Sequence, residues 1–372
     1  MIMKIICNRA KLSESVEYVR EVAGQSRNTK PILQCVRIQA TEEGTLTMSA
    51  TDLELGIRCE LKEVQIEQPG QVVINAAKFA SLIHELSDET VTLSLVEDAL
   101  EVSTAGGKFK FYTFPPDEFP PVSIGDSESS AIVLASSMAE IIGLTAYAVA
   151  KETTRYAING LLMEIEDKKL TMVGTDGRRL AWANVSLVSG KEEKQSCIVP
   201  PHTMQMLARL SARKDEDAQV TIYVTDNQVI FKLPEIVIIS SLVEGKFPDY
   251  SSVIPKEHAC RIAVDRQELL AVLRRIMVFT QSKDMTHGAR LKPEDGNIII
   301  DVPSSEVGEA SERVPAEISG DPIQIGFDPR YMTEPLRALN HEQVILELKA
   351  PKVPLVLKAG SNFTYVLMPV TI

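Results

Sequence analysis

Arg155-Tyr156-Ala157-Ile158-Asn159-Gly160 leads into two short apolar runs, Leu161 to Ile165 and Leu170 to Val173, and then into Thr175-Asp176-Gly177-Arg178-Arg179-Leu180. Glu166-Asp167-Lys168-Lys169 separates the runs, a polar break that predicts a hairpin. After the second run, aspartate tolerates a turn and glycine supplies positive φ. Weaker copies of this module flank it in the chain, so the pattern is a repeat.

The first pass opens with a strand at Lys4 to Cys7 and an amphipathic helix from Leu12 to Val22, with Leu12, Val16, Val19 and Val22 on one face. Strands at Gln34 to Gln39 and Thr45 to Ala50 follow, the second running into Thr51-Asp52-Leu53-Glu54. A strand at Gln71 to Ile74, a helix from Ala76 to Leu86 and strands at Val91 to Leu95, Leu100 to Thr104 and Lys108 to Phe114 complete the pass. Pro115-Pro116-Asp117-Glu118-Phe119-Pro120-Pro121 stops it. The second pass has a strand at Ile132 to Leu134, a helix capped by Ser137 and reaching Val149, and the hairpin. A strand at Ser196 to Val199, a helix from His202 to Ala212 and strands at Gln219 to Val224, Gln228 to Leu233 and Ile236 to Val243 end at Phe247-Pro248-Asp249-Tyr250. The third pass reads as a strand at Cys260 to Val264, a helix from Arg266 to Phe279 and strands at Asn297 to Val302 and Ile323 to Gly326. A helix from Pro329 to Leu339 and strands at Gln343 to Leu348, Leu355 to Ala359 and Tyr365 to Pro369 close it. A spacing of roughly 120–130 residues is that of repeated domains, not of a solenoid. The predicted fold class is α+β, with three repeated domains at 1–125, 130–255 and 256–372, each two helices packed on antiparallel sheets.

A chain of 372 residues with 44% hydrophobic and 24% charged residues has the composition of a soluble, multidomain protein. No apolar run reaches the roughly 18 residues of a membrane span, and the start lacks the pattern of a signal peptide, so a cytoplasmic location is expected. The five cysteines are scattered and odd in number, which predicts buried free thiols. No glycine-rich phosphate loop is present, and the five histidines have no partner at metal spacing, so neither cofactor nor metal is expected. Asp176, beside Arg178 and Arg179, is the one candidate general base; a turn aspartate bonding its own backbone is the simpler reading. The net charge of −12 opposes nucleic-acid coating by the whole surface, yet the helices carry a basic bias, with Arg209, Arg213, Arg266, Arg274, Arg275, Arg330 and Arg337. A basic helical face for phosphates and a merely solvated face both fit that bias. Met368 to Ile372 is apolar to the last residue, has no evident partner, and fits the lining of a hydrophobic groove.

These motifs resemble one family over essentially the whole chain, the bacterial sliding clamps, the beta subunits of the replicative DNA polymerase III. The resemblance rests on Arg155-Tyr156, Asn159-Gly160, Thr175 to Leu180, Phe247-Pro248-Asp249-Tyr250 and Met368-Pro369, with Pro31-Ile32-Leu33 and Ala50-Thr51-Asp52 in the first pass. It implies a non-enzymatic processivity factor, a head-to-tail homodimer closed as a ring around double-stranded DNA, with helices lining the hole. It also implies partners that dock a short apolar peptide: the polymerase catalytic subunit, the clamp loader and other replication and repair proteins. Carried over motif by motif, the docking groove falls on Ile158, Thr175, Gly177, Arg178, Arg179, Leu180, Pro248, Val253, Tyr331, Val366, Met368, Pro369, Val370 and Ile372. The same resemblance places DNA contacts at Arg27, Lys78, Lys151, Arg155 and His202, and the dimer interface at Phe109, Phe111, Val278 and Phe279. The chain departs from the family at Ser252 and Thr371, where many relatives carry a basic residue.

Overall fold

A computed structural model describes residues 3–25, 30–122, 128–151, 156–280, 288–303 and 308–371. Its described helices are α1 (Arg9–Gln25), α2 (Ala76–Glu85), α3 (Ala135–Thr145), α4 (Pro201–Ser211), α5 (Arg266–Ile276) and α6 (Pro329–Ala338). They pack as consecutive pairs, α1 on α2, α3 on α4 and α5 on α6, which is the two-helix repeat expected from the sequence. The apolar stripe of α1 is the cause of its packing: Leu12, Val16, Val19 and Val22 are all fully buried. No described helix is long and apolar enough to cross a membrane.

The described strands form three antiparallel sheets. One compact unit comprises Met1–Ile132 with Asp217–Leu242, and the other Val133–Glu216 with Val243–Ile372. These units divide the chain differently from the repeats because strands pair across repeat boundaries. In the first unit Ile236–Ser241 pairs with Leu55–Leu61, and in the second Arg179–Ser186 pairs with Phe363–Leu367.

The hairpin of the second repeat forms as read. Leu161–Glu166 pairs with Lys169–Thr175 through a two-residue turn in which Asp167 and Lys168 have φ of 50° and 59°. Positive φ at both central residues is the turn that matches the twist of a hairpin. Six strands are additional to the reading: Leu55–Leu61, Gln65–Gln68, Arg179–Ser186, Ser189–Gly190, Ala289–Glu294 and Ala310–Gly320. The predicted cap at Ser137 is corrected. The chain passes from strand to helix at an extended Leu134 with no side-chain cap, and Ser137 lies inside the first turn of α3.

All five cysteines are free and buried. Burial pushes the thiols of Cys7 and Cys197 up to about 12 and that of Cys35 to about 11, the opposite of an activated nucleophile.

Gly174 sits where α3 ends against the hairpin. A Cβ there would stand 2.4 Å from the backbone oxygen of Thr145, which cannot yield as a side-chain tip would. Gly174→Ala is therefore expected to destabilise the chain by about 1–3 kcal/mol, the usual cost of overpacking. A urea midpoint equal to that of the parent protein would refute this account of the contact.

Candidate functional site

The turn after the hairpin is built by its own side chains. Thr175 Oγ1 donates to the Arg179 carbonyl at 2.6 Å and accepts from Gly177 N at 3.1 Å. Asp176 Oδ1 accepts from Arg178 N at 2.9 Å and from Arg179 N at 3.1 Å, while Oδ2 faces Arg179 Nε at 3.0 Å. Asp176 is thus the turn aspartate of the simpler sequence reading. Gly177 has φ of 84° and nothing within 4 Å of the place of a Cβ, so the turn is open on its outer side.

The first repeat reproduces this turn atom for atom. Thr51 Oγ1 donates to the Leu55 carbonyl at 3.0 Å and accepts from Leu53 N at 3.0 Å. Asp52 Oδ1 accepts from Glu54 N at 3.0 Å and Leu55 N at 2.7 Å, and Leu53 has φ of 83°. The weak sequence repeat is therefore a strong structural one.

Behind the turn lies an apolar cluster of Ile158, Leu162, Val173, Leu180, Ile198, Phe247 and Val366, bordered by Trp182, Tyr250 and Ile254. Leu180 and Val366 are cross-strand partners. Burial, and then a hydrogen bond of 2.6 Å to Glu164, pushes the Tyr250 hydroxyl up to about 12. That bond fastens the Phe247-to-Tyr250 segment to the hairpin.

The expected groove residues separate into two layers. Ile158, Leu180, Val366 and Arg179 are 7%, 3%, 2% and 5% exposed, so they form a closed floor. Val253, Met368 and Val370, at 46%, 43% and 39%, are large apolar side chains open to solvent, and Gly177, Arg178 and Pro248 are also exposed. Thr175, Tyr331 and Pro369 are half-buried, and Ile372 lies outside the described residues. The tail has partners after all, unlike the sequence reading. Met368 N donates to the Arg178 carbonyl and Val370 N to the Gly326 carbonyl, both at 2.9 Å. The strand itself ends at Leu367.

Arg179 is the least expected of these residues. One terminal nitrogen donates to the Tyr147 carbonyl at 2.8 Å, another is paired with Glu334, and the guanidinium carbon lies 4.5 Å from the centre of the Tyr331 ring. Tyr365 donates its hydroxyl to the Tyr331 carbonyl at 2.8 Å. Burial raises the Tyr147 hydroxyl well above the usual phenol range. Tyr147, Glu334 and Tyr365 were missed in the sequence. Nothing in the spacing of single tyrosines and a helical glutamate marks them as one cluster.

Lys108–Tyr112 is an edge strand of its five-stranded sheet. Phe111 packs edge-on against Phe79 of α2, with ring centres 5.8 Å apart, while Phe109 on the same side of the strand is 39% exposed. Val278 is 60% exposed and Phe279 half-buried, in the short helical turn after α5.

Lys78 and Lys151 are exposed, and His202 is half-buried in the first turn of α4. Arg27 and Arg155 lie outside the described residues. Several helix cations have partners within the chain. Arg266 donates to the carbonyls of His341 and Leu336 at 2.7 Å each, Arg275 grips Glu312, and Arg330 is held by Asp328. The basic bias counted along the helices therefore overstates the free positive charge. Among the described residues, no group of three or more His, Cys, Asp or Glu side chains is placed to hold a metal ion.

Comparison with known proteins finds three consecutive family profiles along the chain. Residues 3–123 match the N-terminal domain, 133–249 the central domain and 251–371 the C-terminal domain of the DNA polymerase III beta subunit. The chain is 30% identical over 374 residues to the beta sliding clamp of Synechococcus elongatus, with 99% of each chain covered. It is also 30% identical over 379 residues to that of Caulobacter vibrioides, with both chains fully covered. Its fold matches a sliding clamp from Pseudomonas aeruginosa, solved bound to griselimycin, with a TM-score of 0.92, 28% identity and full coverage of both chains.

Proposed function

We propose a mechanism from one premise: the chain belongs to the DNA polymerase III beta subunit family, the beta sliding clamps. It is a sliding clamp of DNA replication. In our reading it works without chemistry, by closing as a head-to-tail homodimer around duplex DNA and tethering polymerase through a surface groove. Its repeats are the domains 1–125, 130–255 and 256–372. The observation that carries the groove is the open Gly177 turn, to whose Arg178 carbonyl the exposed Met368 donates its N–H, with the apolar cluster of Ile158, Leu180 and Val366 beneath it. Large apolar side chains grouped on a surface mark a docking site, and a backbone bare of side chain lets a peptide approach closely.

The partner peptide then carries one or two large apolar side chains. Burying two contributes roughly 3–6 kcal/mol before ordering costs, so an isolated peptide should bind near the micromolar range. The partners are the polymerase catalytic subunit, the clamp loader and other replication and repair proteins, each using such a segment. A ring that exchanges partners is served by weak docking at two equivalent sites.

DNA contact is assigned to Arg27, Lys78, Lys151, Arg155 and His202, of which Lys78 and Lys151 offer exposed ammonium groups. Contacts of this kind hold phosphates and ignore sequence, which is what sliding requires. Neutralising Arg27, Lys151 and Arg155 together is expected to weaken binding to a short duplex and to flatten its salt dependence. The loss in slope should be roughly 0.9 for each phosphate contact removed. A slope unchanged between parent and variant would reduce these residues to ordinary solvated charges.

A further inference from the structure

Arg179 is almost fully buried; its Nε and one terminal nitrogen hydrogen-bond Asp176 and the Tyr147 carbonyl, and its other terminal nitrogen is ion-paired with Glu334. A guanidinium so engaged has little left to offer a docking peptide. It is also unnecessary for the turn on which it sits. The congruent turn of the first repeat makes the same bonds with Leu55 in the place of Arg179. The work of the arginine therefore lies beyond the turn.

What it joins is specific. Tyr147 belongs to the short helical turn after α3, while Glu334 and Tyr331 stand three residues apart on one face of α6. The arginine pairs with the first of these α6 residues and stacks over the ring of the second at 4.5 Å. The Tyr365 hydroxyl holds the start of α6 to the strand that continues into Met368. The Met368 N–H closes the circuit on the Arg178 carbonyl, next to Arg179 itself.

We propose that Arg179 is a positioning residue of the docking groove, acting through Glu334 and Tyr331. It fixes α6 against the Gly177 turn, so that the Tyr331 wall and the Met368 rim keep the spacing a peptide needs. The proposal rests on the groove reading above and assigns this residue a role that does not involve peptide contact.

The test uses the asymmetry of buried ion pairs. Removing one partner leaves an uncompensated charge, whereas replacing both by apolar side chains is often neutral for stability. Full-length Arg179→Met, Glu334→Leu and the double variant are compared by urea midpoint and by anisotropy with a fluorescein-labelled octapeptide carrying adjacent Leu and Phe. Each single variant should lose midpoint and bind the peptide at least 10-fold more weakly. The double variant should recover part of the midpoint, Asp176 alone still lacking its pair with Arg179, and still bind at least 10-fold more weakly, because neither fork nor stack is restored. A double variant with a partly recovered midpoint and parental affinity would overturn the proposal. Glu334→Gln covers the case in which the double variant fails to recover: it keeps the shape of the side chain and should also weaken the peptide at least threefold. Parental affinity in a folded Glu334→Gln chain would equally overturn it. A chain lacking residues 368–372 is measured in parallel. Unchanged affinity there moves the groove elsewhere, whereas lost affinity there beside a normal double variant removes only the role of Arg179.

Discussion

Deleting Met368 to Ile372 should abolish peptide docking while the chain stays folded and dimeric. The segment supplies Met368 and Val370, two of the three exposed large apolar side chains assigned to the groove. It also leaves the ordered strand at Leu367, so no sheet pairing beyond that residue is lost. Two backbone bonds do go, from Met368 N to Arg178 and from Val370 N to Gly326. The two carbonyls they release can be taken up by water at the newly opened rim, which keeps the cost to stability small. Loss of about 3 kcal/mol of apolar burial corresponds to an affinity drop of more than 100-fold. Anisotropy with a labelled apolar peptide reads this directly, and undiminished binding by the truncated chain would mean that the groove has been misplaced.

Phe109→Asp should convert the dimer to monomers without unfolding them. Phe109 lies on the edge strand Lys108–Tyr112, where one row of backbone N–H and C=O groups has no neighbouring strand in the sheet. Such an edge invites pairing with another chain, and its flanking Lys108 and Lys110 would discourage indiscriminate pairing. The side chain is partly open, so a carboxylate there has water in the free chain, but it would be desolvated in an apolar interface. Phe111, by contrast, holds α2 through Phe79, and replacing it would test folding instead of assembly. Val278, beyond α5, is the exposed residue assigned to the opposite half of the contact. A Phe109→Asp chain that elutes as a dimer in gel filtration would remove this strand from the interface.

The helices and the three-fold repeat were legible because their signals are periodic. Four apolar residues on one face of α1 predict a buried stripe, and the structure buries all four. The missed strands lack such a signal. Ala310–Gly320 is mostly exposed, carries Pro315 and has only Val314 and Ile318 as large apolar residues, so its alternation is too faint to mark a strand. Ala289–Glu294 contains Pro293, which argues against a strand from sequence alone. Gly56 interrupts Leu55–Leu61 in the same way.

The candidate site was legible where it is local. Thr175 to Leu180 could be read as a turn because aspartate and glycine have intrinsic turn chemistry, and every bond of that turn lies within five residues. The cluster around Arg179 was not legible, since Tyr147, Glu334 and Tyr365 come together only through tertiary packing. Counting charges along helices failed for a related reason. Arg266 reads as a free cation in sequence, but its guanidinium ties α5 to carbonyls at the end of α6 and in the loop after it.

Everything in the proposed mechanism depends on a closed pair of chains, because a single chain would be held on DNA only by salt-sensitive phosphate contacts. The native mass at micromolar concentration, measured by sedimentation equilibrium, tests that dependence most directly. The expected result is a single species of twice the 41.0 kDa chain. A single species at the mass of one chain would contradict the ring, and with it the topological account of how this protein holds DNA.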